Sequence, residues 1–141
     1  MNPMKTRILR ISRRGFTLIE IMIVVAILTI TATIAVPNWL RARKRSQATR
    51  ILGDLRILDQ AIEIYSIEHN RSGAETVGAA DFDYFRRYLK NGIPLYTSLP
   101  NDFFGNPFTM ATLSAVPKIS ATTFNALSDV APLDFWSPYY P

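Results

Sequence analysis

The sequence predicts an α+β fold, in which a long, kinked N-terminal helix packs on a small globular head with one short helix and short antiparallel strands. Three observations predict this fold. Residues 16–36 are almost entirely apolar, and residues 38–70 place apolar side chains at helical spacing. Residues 71–141 are rich in turn residues and aromatics, which is typical of short elements followed by an irregular tail.

Residues 1–15 carry the excess positive charge of the chain. The sequence has 16 basic and 11 acidic residues, a formal net charge of +5. Without the five basic residues that precede Gly15, 11 basic residues remain against 11 acidic ones. The excess is therefore typical of a targeting leader and argues against nucleic acid as a partner. The five residues are Lys5, Arg7, Arg10, Arg13 and Arg14.

Residues 16–37 are predicted to form a membrane-spanning helix. The apolar stretch would be roughly 30 Å long at about 1.5 Å per residue, which matches the hydrocarbon core of a bilayer. In lipid, a helix satisfies its own backbone hydrogen bonds. A cleaved secretory signal is the alternative, with cleavage in the small-residue region 31–36, although such signals have a shorter apolar stretch of about 7–15 residues.

Glu20 is the only charged residue of this apolar stretch. A carboxylate in a membrane helix is costly and is usually retained for a partner. Glu20 follows Phe16 by one helical turn, so the two residues share a helix face. After cleavage behind Gly15, the new α-amino group of Phe16 could pair with Glu20 of a neighbouring subunit. Alternatively, Glu20 lies at the membrane interface and contacts lipid headgroups.

Residues 14–28, with the sequence RGFTLIEIMIVVAIL, are similar to the prepilin-type cleavage and methylation motif. This motif is shared by type IV pilins and by the pseudopilins of type II secretion systems. The resemblance implies that a membrane peptidase cleaves between Gly15 and Phe16 and that Phe16 is then N-methylated. It also implies that Glu20 sets the filament register, that Pro37 bends the first helix, and that the apolar helix is retained.

The resemblance implies a structural function. The subunit would cross the bacterial cytoplasmic membrane once, with its head outside the cytoplasm, and then enter a homo-oligomeric helical filament. This filament is either a type IV pilus or a secretion pseudopilus. The implied partners are the prepilin peptidase and methylase, an inner-membrane platform protein, an assembly ATPase and membrane lipid. Residues 99–108 also resemble a stretch of the major pseudopilin, with Phe104 in place of a tryptophan, which favours the pseudopilin.

A basic cluster follows the apolar stretch and consists of Arg41, Arg43, Lys44 and Arg45. Because both flanks of the apolar stretch are basic, charge alone gives little information about orientation in the membrane. The cluster contacts anionic headgroups or acidic groups in the filament, or it forms a solvated helix face.

One continuous helix is predicted from about Phe16 to His69, with a kink near Pro37. The sequence Asn-Arg-Ser-Gly at 70–73 is expected to end it. A second helix is predicted over 81–90, with Asp81 as its N-cap and Gly92 as its stop signal. Its apolar stripe comprises Phe82, Phe85, Tyr88 and Leu89.

The rest of the head is predicted as two or three short strands and loops. Gly105-Asn106, flanked by aromatics, predicts a tight turn between two strands. The chain has no cysteine, and the major pseudopilin family uses a calcium ion to pin its C-terminal loop. Ser128, Asp129 and Asp134 are the candidate oxygen ligands for such an ion. Alternatively, these residues are solvated.

The sequence also bears on two other functional classes. A minor or tip subunit would bind DNA, sugar or an exported protein through its aromatic tail, at Trp136, Tyr139 and Tyr140. An enzyme is not predicted, because the sequence shows no nucleophile–base constellation, no glycine-rich phosphate loop and no histidine pair.

Overall fold

The computed structural model describes residues 15–141. Apart from Gly15, the predicted leader therefore lies outside the described residues. The chain divides into two compact units, the first ending at Asn38 and the second running from Trp39 to Pro141. The described residues contain five helices, which are α1 (Leu18–Glu68), α2 (Asp81–Arg86), α3 (Pro94–Ser98), α4 (Ala121–Leu127) and α5 (Leu133–Trp136).

The long N-terminal helix is confirmed: α1 begins and ends within two residues of the predicted bounds. All side chains from 18 to 36 are exposed, although the most apolar part of this helix has a mean hydropathy of 2.5. By length and composition, α1 can cross a membrane. An apolar helix exposed on every side is typical of one that is covered by lipid or by other helices.

Three threonines interrupt the apolar stretch without leaving their hydroxyl groups unpaired. The Thr29 hydroxyl donates to the Ala26 carbonyl at 2.8 Å, and the Thr33 hydroxyl donates to the Thr29 carbonyl at 2.8 Å. The Thr31 hydroxyl lies 3.0 Å from the Ile27 carbonyl. Since these bonds form within the helix itself, the threonines fit an apolar environment. The helix continues through Pro37, and the kink at this residue stays a prediction.

The second unit is built on the C-terminal part of α1. The buried positions of this helix recur at spacings of three and four residues and therefore form one stripe. This stripe packs against buried residues from all the shorter helices and from the loops between them, including Phe85, Leu95, Leu127 and Trp136. The stripe consists of Ala48, Ile51, Leu52, Leu55, Leu58, Ala61, Ile62 and Tyr65.

Helix α1 ends at the predicted Asn-Arg-Ser-Gly sequence. Asn70 adopts a φ of 48°. The Asn70 N–H donates to the Ile67 carbonyl at 3.2 Å, and the Arg71 N–H donates to the Ser66 carbonyl at 2.9 Å. This pair of hydrogen bonds around a left-handed residue is a Schellman motif, which closes the last turn of the helix.

Helix α2 is shorter than predicted and begins differently. The N-cap is Ala80, and Asp81 is the first helical residue. The Asp81 carboxylate instead accepts a hydrogen bond from the Gly78 N–H at 2.7 Å. After Arg86 the chain tightens into turns with i to i+3 hydrogen bonds, so the helix ends well before Gly92. The predicted apolar stripe is confirmed, because Phe85 and Leu89 are buried while Phe82 and Tyr88 pack against the core.

The predicted antiparallel strands are not confirmed. Within residues 15–141, β-pairing is limited to isolated antiparallel bridges. The bridge between Asn101 and Pro107 encloses the predicted turn, in which Gly105 adopts a φ of 83°. Pro100 and Pro107 have no N–H to donate, which prevents this pairing from extending into a ladder. Helices α3, α4 and α5 occupy segments predicted as strands and loops.

Candidate functional site

The predicted cleavage site lies just before helix α1. Gly15, Phe16 and Thr17 are exposed and non-helical, and the Phe16 side chain is 83% exposed. A Cβ added at Gly15 would meet no atom within 4 Å. An exposed segment outside regular structure can enter a peptidase active site more readily than a helix can. Cleavage between Gly15 and Phe16 stays a prediction, since the residues before Gly15 lie outside the described part of the chain.

Thr17 and Glu20 form a capping box at the start of α1. One oxygen of Glu20, Oε2, accepts hydrogen bonds from the Thr17 N–H and from the Thr17 hydroxyl, both at 2.8 Å. In return, the Glu20 N–H donates to the Thr17 hydroxyl oxygen at 3.3 Å. These bonds satisfy N–H groups that the first turn of a helix leaves unpaired. Glu20 is thus held at the helix start while it remains exposed.

Phe16 and Glu20 line the same groove, together with Ile21, Ile23 and Val24. The structure therefore brings the two predicted residues onto one face of the helix start. The groove is mostly apolar, so a carboxylate at its edge needs a hydrogen-bonding or cationic partner when water is removed. The capping box supplies the first kind of partner within one subunit. Pairing with the α-amino group of a neighbouring Phe16 stays a prediction.

In the basic cluster, the three arginines are exposed to solvent and Lys44 forms an ion pair. Arg41, Arg43 and Arg45 are exposed, and the Arg43 guanidinium lies 5.7 Å from the centroid of the Trp39 ring. Lys44 behaves differently, because its Nζ lies 2.9 Å from a carboxylate oxygen of Asp129. This ion pair connects α1 to the loop after α4. Both side chains are about half exposed, so the pair contributes at most about 1 kcal/mol.

The three candidate calcium ligands do not form a cation site in the structure. Asp129 pairs with Lys44, the Ser128 hydroxyl donates to the Asn125 carbonyl at 3.0 Å, and Asp134 is exposed. Among residues 15–141, no group of three or more His, Cys, Asp or Glu side chains could hold a metal ion. Calcium needs about six to eight oxygen ligands, several of them carboxylates. The residues present therefore do not fit this ion.

A buried carboxylate that the sequence did not single out connects a turn of the head to helix α4. Asp102 is only 3% exposed. Its Oδ1 accepts hydrogen bonds from the Phe104 N–H at 2.8 Å and the Asn106 N–H at 3.0 Å. Its Oδ2 accepts a hydrogen bond from the Thr123 hydroxyl in α4. The turn at 102–106 is thereby fixed to α4 by side-chain hydrogen bonds.

The same network includes the N-cap of α4. The Ser120 hydroxyl oxygen accepts a hydrogen bond from the Thr123 N–H at 3.1 Å, and the Asn106 side-chain amide donates to the Thr123 hydroxyl oxygen at 2.9 Å. An aspartate followed by a glycine and an asparagine is a recognisable turn signal. The contact of Asp102 with Thr123 has no such local signal, because the two residues are far apart in sequence.

The aromatic tail folds back onto the head. Trp136 is fully buried, and its indole N–H donates to the Ala131 carbonyl at 3.1 Å. Tyr139 is 7% exposed, and its hydroxyl donates to Asp59 at 3.4 Å. Burial raises the pKa of the Tyr139 hydroxyl, and the nearby Asp59 carboxylate raises it further. Only Tyr140, at 42%, keeps substantial exposure. A tip subunit that binds ligands through this tail is therefore not supported.

Comparisons with known proteins confirm the resemblance to pilins and pseudopilins. Residues 10–36 match the prokaryotic N-terminal methylation motif. The chain is 31% identical over 114 residues to type II secretion system core protein G of Aeromonas hydrophila, covering 74% of this chain and 77% of that protein. The protein of the same name from Klebsiella pneumoniae is 36% identical over 105 residues, covering 70% of this chain and 74% of that protein.

A shorter match involves a pilus protein. The type IV wide pilus major component PilA4 of Thermus thermophilus is 44% identical over 57 residues, which covers 40% of this chain and 44% of that protein. No solved structure gives a significant match.

Proposed function

Because the chain belongs to the family of type II secretion system core protein G, we propose that it is the structural subunit of a type II secretion pseudopilus. One observation carries this choice within the pilin-like proteins. Two of the secretion relatives align over 114 and 105 residues, which is about twice the 57 residues of the match to the pilus protein. Since α1 has 51 residues, alignments of that length must include part of the head.

The apolar part of α1 supports membrane anchoring followed by filament assembly. Its side chains from 18 to 36 are exposed in the single subunit, and exposed apolar surface of this extent requires a cover. Lipid covers it while the subunit waits in the bacterial cytoplasmic membrane. In the filament, the α1 helices of neighbouring subunits replace the lipid, and the helices associate through close side-chain packing. We place the head outside the cytoplasm, with a single membrane crossing.

Processing prepares the start of α1 for this assembly. Residues 1–15 form the leader, and a prepilin peptidase removes them between Gly15 and Phe16. N-methylation of Phe16 follows, and the mature helix begins with a cationic amine one turn before Glu20. An inner-membrane platform protein and an assembly ATPase then extract the subunit from the membrane. We assign no catalytic role to the chain, because its relatives are named as core proteins of a secretion system and as a pilus component.

Glu20 is proposed to set the register between subunits. A carboxylate transferred into an apolar filament core costs several kcal/mol unless it is paired. The capping box leaves the charge of Glu20 uncompensated, because Thr17 supplies only neutral donors. The α-amino group of a neighbouring Phe16 supplies the missing cation. Its position one turn away requires an axial shift of about 6 Å between these two subunits.

The proposal is tested by deleting this chain from its native host and restoring it on a plasmid. A pseudopilus subunit predicts that deletion stops the export of secreted proteins into the medium, that surface pili remain, and that the restored chain recovers export. A type IV pilus subunit, which the match to the Thermus thermophilus protein favours, predicts the reverse pattern. Loss of pili with normal export would therefore contradict the pseudopilus assignment.

A further inference from the structure

Charges on α1 beyond the apolar stretch are segregated along the helix. In residues 38–68 the basic side chains gather at the start and the acidic side chains gather towards the end, with Arg56 as the exception. Such a distribution makes this part of the helix positive near the apolar stretch and negative towards Glu68. The basic residues at the start are Arg41, Arg43, Lys44, Arg45 and Arg50, and the acidic residues are Asp54, Asp59, Glu63 and Glu68.

Asp59 and Glu63 form an acidic pair on one face of α1. They are four residues apart and therefore adjacent on the helix surface. Together with Ser66 and Ser114 they line a groove between α1 and the loops of the head. Burial raises the pKa of the Asp59 carboxyl, the hydrogen bond from Tyr139 partly offsets this effect, and the negative charge of Glu63 adds to it. Among residues 15–141, neither carboxylate forms an ion pair within the subunit.

Arg41 and Arg45 form a basic pair with the same spacing. Both are exposed and line a second groove, whose only acidic residue is Asp129. That carboxylate is paired with Lys44. In the described part of the chain, neither arginine has an ion-pair partner of its own. The groove therefore keeps an excess of positive charge that a second molecule can compensate.

The two pairs are related by a whole number of helical turns. Asp59 follows Arg41 by 18 residues (59 − 41), and Glu63 follows Arg45 by 18 residues (63 − 45). Eighteen residues make about five turns of α-helix and span about 27 Å, so both pairs lie on the same side of α1. A second copy can lie parallel to the first, shifted by about 27 Å along the helix axis, with the same side of its α1 turned towards the first copy. In that position, Arg41 and Arg45 of one copy lie opposite Asp59 and Glu63 of the other.

We propose that Arg41 and Arg45 of one subunit dock on the Asp59–Glu63 groove of a second copy of this chain. The contact is heterologous, because different surfaces of the two copies meet, and so it propagates along a filament. It rests on the proposed filament function and adds a specific axial stagger to it. The neighbour involved is not the one that Glu20 contacts, because that pairing requires a much smaller shift.

Disulfide crosslinking in the assembled filament tests the stagger. Because the chain has no cysteine, an Arg45→Cys/Glu63→Cys variant reports only the introduced pair and keeps Arg41 and Asp59. Mild oxidation is expected to give a ladder of covalent multimers from this pair in preference to pairs that are out of register, because a disulfide requires Cα atoms no more than about 7 Å apart. The matched control is Arg45→Cys/Asp59→Cys, which also replaces one arginine and one acid but is out of register by about 6 Å. Equal ladders from both variants would overturn the proposed stagger.

Charge reversal tests the pairing itself in the full-length chain. Arg41→Glu/Arg45→Glu and Asp59→Lys/Glu63→Lys should each lower filament yield by about tenfold or more, and the four substitutions together should restore it. Arg43→Glu is the control, because Arg43 points away from Arg41 on the helix and contacts Trp39. Arginines that bind anionic headgroups instead would give no restoration, and that result would overturn the proposal.

Filament formation by the wild-type chain and by the Arg43→Glu control shows whether a failure concerns the docking contact alone or the proposed function as well. If both form filaments while the reversed pairs assemble normally, the docking contact is wrong and the filament function stands. If wild-type chain with a processed N-terminus forms no filament in its native host, the proposed function and the docking contact are overturned together.

Discussion

Thr17 and Glu20 hold each other at the first turn of α1, with the Glu20 carboxylate accepting two hydrogen bonds of 2.8 Å from Thr17. This contact gives Glu20 a role within one subunit, as a helix cap that contributes about 1 kcal/mol. Pairing with a neighbouring α-amino group would be a second role, and it depends on charge rather than on hydrogen-bonding capacity. Substitutions can separate the two roles.

Glu20→Gln is predicted to abolish filament assembly while leaving cleavage intact. A glutamine at this position can still accept the hydrogen bonds from Thr17, so the capping box is kept. It cannot supply the negative charge for a neighbouring Phe16. Filament yield by electron microscopy, with the intact mass of the subunit, measures both outcomes.

Thr17→Val is the complementary change and should preserve assembly. It removes the hydroxyl of the capping box, keeps the carboxylate of Glu20, and should destabilise the helix start by about 1 kcal/mol. If Thr17→Val prevents assembly while Glu20→Gln assembles normally, helix capping is the main role of Glu20 and the register proposal is wrong.

Asp102→Ala is predicted to destabilise the head by about 3 kcal/mol, because buried N–H and hydroxyl donors lose a charged acceptor. The donors belong to Phe104, Asn106 and Thr123. Urea unfolding of the full chain in detergent, followed by tryptophan fluorescence, measures the change, since Trp136 lies in the core. Asp83→Ala, at an exposed site, is the control and should change stability by less than about 1 kcal/mol. Equal effects at both sites would contradict a structural role for Asp102.

Removal of calcium is predicted to leave the head unchanged. The candidate Asp129 already has the Lys44 ammonium as its partner, and the Ser128 hydroxyl donates to the Asn125 carbonyl. A chelator or millimolar calcium should therefore produce the same thermal unfolding midpoint. A clear rise of the midpoint with calcium would show that the exposed acids of the C-terminal loop reorganise around the ion.

Asp54→Asn is predicted to stabilise the head at neutral pH. Burial raises the pKa of the Asp54 carboxyl above its usual 3.8, and the nearby Arg50 only partly offsets this effect. Because the folded pKa is raised, this contribution to stability is present below pH 3.8 and is lost as the pH rises through the folded pKa. The asparagine variant avoids this loss.

Urea unfolding of both chains in detergent from pH 3 to 7 measures the difference, with Asp134→Asn at an exposed site as control. The stability advantage of Asp54→Asn should grow with pH and vanish at the acidic end. An advantage that stays constant across this range would show that the carboxylate charge at position 54 is not its cause.

Local patterns predicted the parts of the fold that depend on neighbouring residues. The three-and-four spacing of Ile51, Leu55 and Leu58 identified the buried face of α1, and Asn70 identified its end. The helices after Gly92 were not predicted from the sequence, because α3, α4 and α5 are too short to show a clear helical period. Pro100 and Pro107 limited β-pairing to isolated bridges, although the turn between them was correctly placed.

In the candidate site, too, the sequence predicted local relationships between residues but not contacts between distant segments. The four-residue spacing of Phe16 and Glu20 correctly predicted a shared face. The Thr-x-x-Glu pattern at residues 17–20 is a local sequence signal for the capping box that the structure shows. The pairs Lys44–Asp129 and Asp102–Thr123 join distant segments, and only the folded chain shows which residues meet.

As a pseudopilus subunit, this chain is expected to be processed at its N-terminus and assembled from the membrane, with its apolar helix retained. N-terminal sequencing with intact mass, on protein recovered from native membranes, tests it most directly. The expected result is a mature chain that begins with N-methylated Phe16 and retains the apolar part of α1. A chain that begins after the 31–36 region would instead identify an ordinary secreted protein, and it would contradict the filament function.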